Sequence, residues 1–236
     1  MDLSDTLRTT GAVRAFHPDP VDDATLHRLL DTARFAPSGG NRQGWRVIVV
    51  KDPEKRRELR DLYLKGWYEY LAQGAAGLVA WAPVTDREAE AEAITHAPEF
   101  ARAAAAAPPG FAESLDTAPA LLLLLADLSA LAAIDRDSPR YTFAGGASIY
   151  PFAWSLLLAA RTEELAGVMT TVAIREEPGV RALFDVPETS AVAALIVLGR
   201  PVATPRRLRR HPVEDFAWID GYGGAPLTAT GPAVVK

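Results

Sequence analysis

Two polar or basic segments at opposite ends of the chain hold the residue types that could do chemistry. Near the start, Arg14 stands in an otherwise small and apolar segment, and Ser38-Gly39-Gly40-Asn41-Arg42-Gln43 places hydroxyl and amide groups on a glycine-bearing loop. Glycines let a backbone come close to a ligand because they lack a Cβ. Near the end, Arg206, Arg207, Arg209 and Arg210 fall within five residues. Such a run is either a solvated or nucleic-acid-attracting surface or a set of cations for a compact dianion. Taken singly, Arg14 is an ordinary surface cation, and Ser38 to Asn41 an ordinary helix-to-strand turn.

Other chemistries lack their residues. The chain has no cysteine, which removes disulfides, thiolate nucleophiles and cysteine-held metals. Redox chemistry would have to come from a bound cofactor. The histidines at 17, 27, 96 and 211 show no metal-ligand spacing. Glycine-rich dinucleotide turns, phosphate-loop lysines and nucleophile elbows are absent. A net charge of -5 argues against a broad nucleic-acid footprint. No secretory signal is visible before Arg14, and the run Ala118 to Ala126 is too short for a bilayer, so a cytoplasmic protein is expected.

The elements that must position these groups follow from periodicity. Residues 21–36 repeat Leu26, Leu29, Leu30 and Ala33 at helical spacing, with Asp22 or Asp23 as cap and Pro37 as stop. The polar loop comes next, then the β-branched run Trp45 to Val50, a strand. A second helix starts at Asp52-Pro53 and runs towards Ala72. Residues 85–110 turn acidic, then alanine-rich, and read as a mobile insertion more than as a core element. Residues 120–126 and 191–198 read as buried strands, 167–171 as a short β segment, and 176–184 as a short helix. The apolar helix at 148–160 should be buried on nearly every side or lie in a subunit interface. From Pro205 onward no regular period appears. An α+β sheet domain with an extended C-terminal arm is expected, in one domain spanning 1–236, with about 65–110 a variable insertion or lid.

Thr9 to Phe16, followed by Ala36-Pro37-Ser38-Gly39-Gly40-Asn41-Arg42-Gln43-Gly44-Trp45, resembles the opening of the nitroreductase family of flavoproteins. The resemblance continues through Ala147 to Pro151, Gly167 to Thr171, Ala194 to Pro201 and Arg209 to Glu214, leaving only about 64–115 without a counterpart. It implies a mixed β-sheet flanked by helices and an interlocked homodimer with FMN at the interface. It also implies cofactor contacts from Arg14, from Ser38, Gly39, Gly40, Asn41 and Gln43, from the backbone at Gly167 and Val168, and from Arg210 with Arg207 or Arg209. Relatives often carry arginine or histidine at the place of Gly11, serine at Ala12 and proline at Gly44, and a more apolar approach than Glu163-Glu164-Leu165. The loss at Gly11 and Ala12 would weaken the hold on FMN.

The activity so implied is a ping-pong oxidoreductase, taking hydride from NADH or NADPH and passing it to a nitroaromatic, a quinone or a similar small acceptor. The cofactor does the chemistry, so no catalytic acid, base or metal is nominated. A cation near the ring's pyrimidine edge, Arg14, would favour the reduced state. Aromatic residues Trp67, Tyr68, Tyr70, Trp81, Phe100 and Phe111 either line the flavin cleft or pack an inserted helix. The contrasting reading is a flavin-storing or redox-sensing protein without turnover.

Overall fold

The structure, a computed structural model, describes residues 2–140, 143–204 and 208–229. Its centre is a sheet of four strands, β1 (Trp45–Val49), β2 (Ala120–Asp127), β3 (Ala166–Thr170) and β4 (Ser190–Gly199), in the order β1-β2-β4-β3. Among the described residues all three pairings are antiparallel, where a mixed sheet was expected. The reason is the path of the chain: β4 returns between β2 and β3, so strands running the same way are never neighbours.

β2 and β4 are buried on both faces, which is why they read as continuous apolar runs. Leu122, Leu124, Ala194, Ile196 and Leu198 face α2 (Asp23–Ala33) and α6 (Tyr150–Ala160). Leu121, Leu123, Leu125, Leu195 and Val197 face α3 (Pro53–Ala75) and α7 (Glu177–Leu183). The register slips between Leu124 and Leu125, whose partners are Ala194 and Val192. Ala193 is thus the extra residue of a bulge, and the Tyr150 hydroxyl donates to its carbonyl at 3.3 Å.

Helix ends follow their capping residues. Asp22 accepts from the Thr25 backbone N–H, and Asp52 from those of Glu54 and Lys55. Hydrogen bonds from the Thr25 backbone N–H and hydroxyl hold the Asp22 carboxyl below the usual carboxylate range. A folded-state value below the unfolded one means that this stabilisation is full above the ordinary range and disappears as pH falls through the folded value. Asp22→Ala is therefore expected to lower the melting temperature by about 2 °C near neutral pH, and the difference should close in acid as the folded-state carboxyl takes up its proton. Melting curves of both proteins across that range check it.

Three segments differ from their sequence reading. Residues 85–110 are no loose insertion, since α4 (Arg87–Thr95) and α5 (Ala97–Ala105) pack on α3. Alanine's helix propensity carries them, with Asp86 capping α4 and Pro98 in the first turn of α5. The polar start contains α1 (Leu3–Thr9), capped by Asp2, with Leu3 and Leu7 exposed. Towards the end, the Ile219 N–H donates to the Ala225 carbonyl and the Leu227 N–H to that of Ala217, both at 2.9 Å, closing a small antiparallel loop. Trp218 and Tyr222 pack at its tip, 4.9 Å between ring centroids. No helix among the described residues is long and apolar enough to cross a membrane.

Candidate functional site

The sequence-nominated residues gather at two corners of the sheet. At the first corner, the Val13 backbone N–H donates to the Gly167 carbonyl at 2.9 Å, which lays the N-terminal segment along the open side of β3. The segment continues by pairing with the chain after β4: Val202 donates to Ala15, and His17 to Arg200. Arg14 is thereby fixed beside Gly167 and Val168, exposed, with its guanidinium carbon 5.9 Å from the centre of the Phe111 ring. A cleft of about 420 Å³ opens here between Arg14, Phe16 and His17 on one wall and Phe111 and Pro119 on the other.

The residues behind Arg14 explain how that cleft keeps its shape. Glu113 accepts from the Gly110 N–H at 3.0 Å and from the Tyr68 hydroxyl at 3.2 Å, tying the Phe111 loop to α3. Tyr63 is buried, and its hydroxyl lies 3.0 Å from the Thr170 hydroxyl at the end of β3. Burial pushes the Tyr63 phenol up from its ordinary pKa, while the Thr170 hydrogen bond and the Arg14 charge pull it down. Tyr63, Thr170 and Glu113 had no signal in the sequence as site residues, because long-range packing alone brings them there.

Leu208 N–H donates to the Arg8 carbonyl at 3.4 Å, so the described part of the C-terminal arm starts beside α1. Arg209 and Arg210 follow, both exposed. Arg206 and Arg207 lie outside the described residues. Val168 is 2% exposed and its side chain belongs to the core against α3, so this position offers only its backbone to a ligand. Gly167 has a packing reason of its own: a Cβ there would come 2.2 Å from the Val197 carbonyl oxygen.

The second corner holds Ser38 to Gln43. The loop is one short turn, Gly39–Asn41, in which the Asn41 N–H donates to the Ser38 carbonyl at 2.9 Å and the Gln43 N–H to the Ser38 hydroxyl at 3.0 Å. The Ser148 hydroxyl, just before α6, accepts from the Gly39 N–H at 3.0 Å and anchors the loop from outside. Gly40, Asn41 and Gln43 all have positive φ, at 59°, 52° and 52°. A cluster of left-handed residues in six positions is costly backbone, of the kind held at ligand sites. The carboxamides of Asn41 and Gln43 meet at 3.2 Å and are exposed.

Register sets the distance between the corners. β1 begins at Trp45, opposite Ala126, which pairs with Ala191, whereas Gly167 pairs with Leu198. At ordinary strand spacings the corners lie about 23 Å apart along the strands and about 14 Å across them. One small ligand cannot be held at both corners of the same chain.

Several large apolar side chains stand exposed. On α6, Tyr150 is 37% and Trp154 38% exposed in an otherwise buried helix, and Phe35 is 75% exposed at the end of α2. The departures at 163–165 have structural roles: Glu163 takes two hydrogen bonds of 2.9 Å from Arg28, and Glu164, at φ 55°, makes the turn into β3.

Residues 7–200 match the model of a family described as the nitroreductase family. An NADH dehydrogenase of Thermus thermophilus is 28% identical over 204 residues, 86% of this chain and 88% of its own. Among solved structures, the NADPH:FMN oxidoreductase from Vibrio harveyi complexed with NAD+ superposes with a TM-score of 0.62 at 22% identity, covering 93% of this chain and 77% of that one. Oxidised iodotyrosine deiodinase bound to FMN and 3-iodo-L-tyrosine gives 0.59 at 21% identity, covering 90% and 96%.

Proposed function

We propose, from the premise that this chain belongs to the nitroreductase family, that it is an FMN-dependent oxidoreductase that works as a homodimer. The observation that carries the reading is the pair of separated corners. One offers a cation beside β3, and the other offers a strained loop of hydroxyl and carboxamide groups. In a two-fold dimer the first corner of one protomer would face the second corner of its partner, so each site would be completed across the interface. The exposed Phe35, Tyr150 and Trp154, and the apolar tip of the C-terminal loop, would be covered in the same step.

The donor set fits FMN by its chemistry. A phosphate dianion calls for guanidinium groups, which Arg209 and Arg210 present at the start of the described arm, with Arg207 beside them in sequence. The ribityl hydroxyls and ring edge call for neutral donors and acceptors, which Ser38, Asn41 and Gln43 supply, with Gly39 and Gly40 leaving room for the backbone. Arg14 is placed to hold negative charge near β3. Where relatives have polar side chains, Gly11 and Ala12 contribute none, so the grip rests more heavily on the loop and the arginines.

When bound, the flavin would accept hydride from NADH or NADPH and deliver it to a nitroaromatic, a quinone or a similar acceptor in ping-pong fashion. The chain's own part is to orient and to exclude. Phe111, held by Glu113 and Tyr68, shapes the wall of the Arg14 cleft. The reading places the protein in the cytoplasm, where reduced nicotinamide nucleotides are available.

The test is spectral. Purified protein should show flavin bands at one FMN per chain, and anaerobic NADPH or NADH should bleach them. Bound flavin that stays oxidised would leave a flavin-holding protein without turnover, and absence of any flavin binding would overturn the reading.

A further inference from the structure

The cleft beside Arg14 has one kind of wall and one sign of charge. Phe16, Phe111 and Pro119 give it apolar sides, and among the described residues Arg14 and His17 are the only titratable groups that line it. Its volume of about 420 Å³ suits a small organic ligand. Both sides are fixed by packing. At Gly199, where β4 ends, a Cβ would come 2.7 Å from Pro119 and 3.0 Å from Phe16, so these two residues press on the end of the strand. The Phe111 side is tied to α3 through Glu113 and Tyr68.

The positive charge of the cleft is uncompensated. Among the described residues no carboxylate forms an ion pair with Arg14, and no acid lines the cleft. The acids on the neighbouring wall segment are already engaged. Glu113 accepts from the Tyr68 hydroxyl with one oxygen and from the Gly110 N–H with the other, and Asp116 pairs with Arg60 at 2.9 Å. The Arg14 guanidinium carbon stands 5.9 Å from the centre of the Phe111 ring, so cation and aromatic ring lie side by side in one cleft. A lone guanidinium repels ammonium ligands and takes a carboxylate with two parallel hydrogen bonds. The adjoining aromatic rings favour a flat apolar body.

We propose that this cleft binds a planar aromatic carboxylate, its carboxylate on Arg14 and its ring between the Phe16 wall and the Phe111 wall. On the oxidoreductase reading this ligand is the organic acceptor, a nitro- or quinone-bearing aromatic acid, so the proposal rests on that reading for its place in turnover. It does not rest on it for binding, which the chain's own residues supply. Among the acceptors that reading allows, aromatic acids are selected and aromatic amines are refused.

Benzoate, benzamide and benzylamine, titrated by calorimetry into the full-length protein as purified and again after loading with FMN, test the site. Benzoate should bind both preparations with a Kd of about 1 mM or tighter, benzamide about tenfold more weakly, and benzylamine most weakly. Arg14→Gln should weaken benzoate about tenfold and leave benzamide unchanged. Phe111→Leu keeps the charge and should weaken both alike. Melting temperatures close to the parent's keep the two variants comparable with it. Benzoate that binds neither preparation, binds no better than benzamide, or binds Arg14→Gln as well as the parent would overturn the site. Benzoate binding lost on loading with FMN would overturn the acceptor role. A protein that takes up no FMN would overturn the oxidoreductase reading instead, and the ranking of the three probes would still decide the site.

Discussion

Gly167→Ala is expected to destabilise the protein by about 3 kcal/mol or more, while Arg14→Ala, close by on the neighbouring segment, leaves stability within about 0.5 kcal/mol. The added Cβ would lie 2.2 Å from the Val197 carbonyl oxygen and 2.6 Å from a methyl of Leu198. The methyl can turn away, but the carbonyl belongs to the β3 to β4 pairing, in which Val168 pairs with Val197 and Gly167 with Leu198. Relief therefore requires β3 to move off β4, which also strains the hydrogen bond from Val13 to the Gly167 carbonyl. Denaturant melts of the two variants separate the roles. A Gly167→Ala protein as stable as the parent would mean that glycine stands there for a ligand and not for the sheet.

That contrast shows where sequence reading reached its end. The strand at Trp45, the buried strands at 120–126 and 191–198, and the helices around Leu26 and after Pro53 were legible because period, capping and β-branching are local properties. α4 and α5 were not, since alanine fits either a helix or a loose excursion and only packing on α3 decides. Strand direction was not legible either, because it depends on which strands become neighbours. At the site, the loop Ser38 to Gln43 and Arg14 were visible as residue types, but their placement at opposite corners is a matter of register. Tyr63, Thr170 and Glu113 are set by contacts across long sequence separations, which no pattern within one segment carries.

The same register gives the second large effect, a complementation between two damaged chains. Arg14→Glu injures the first corner, and the double change Asn41→Asp with Gln43→Glu injures the second by exchanging two carboxamide donors for carboxylates of the same shape. Each protein alone is expected to lose FMN affinity by about a hundredfold, since an anion would meet negative charge where it needs donors. Mixed dimers, isolated through two different tags, should recover tight binding at one flavin per dimer, with hydride transfer from NADPH to match. The arithmetic is geometric: a site built across the interface joins the intact first corner of one protomer to the intact second corner of its partner, and leaves both injuries together in the other site. A site contained within one chain would keep one injury in every copy and recover nothing. With about 23 Å between the corners along the strands alone, a single chain has no way to bring both sets of groups to one flavin. Recovery at one flavin per dimer would therefore fix both the partner's contribution and the loop's role, and absence of recovery in dimers shown to be mixed would remove the shared site.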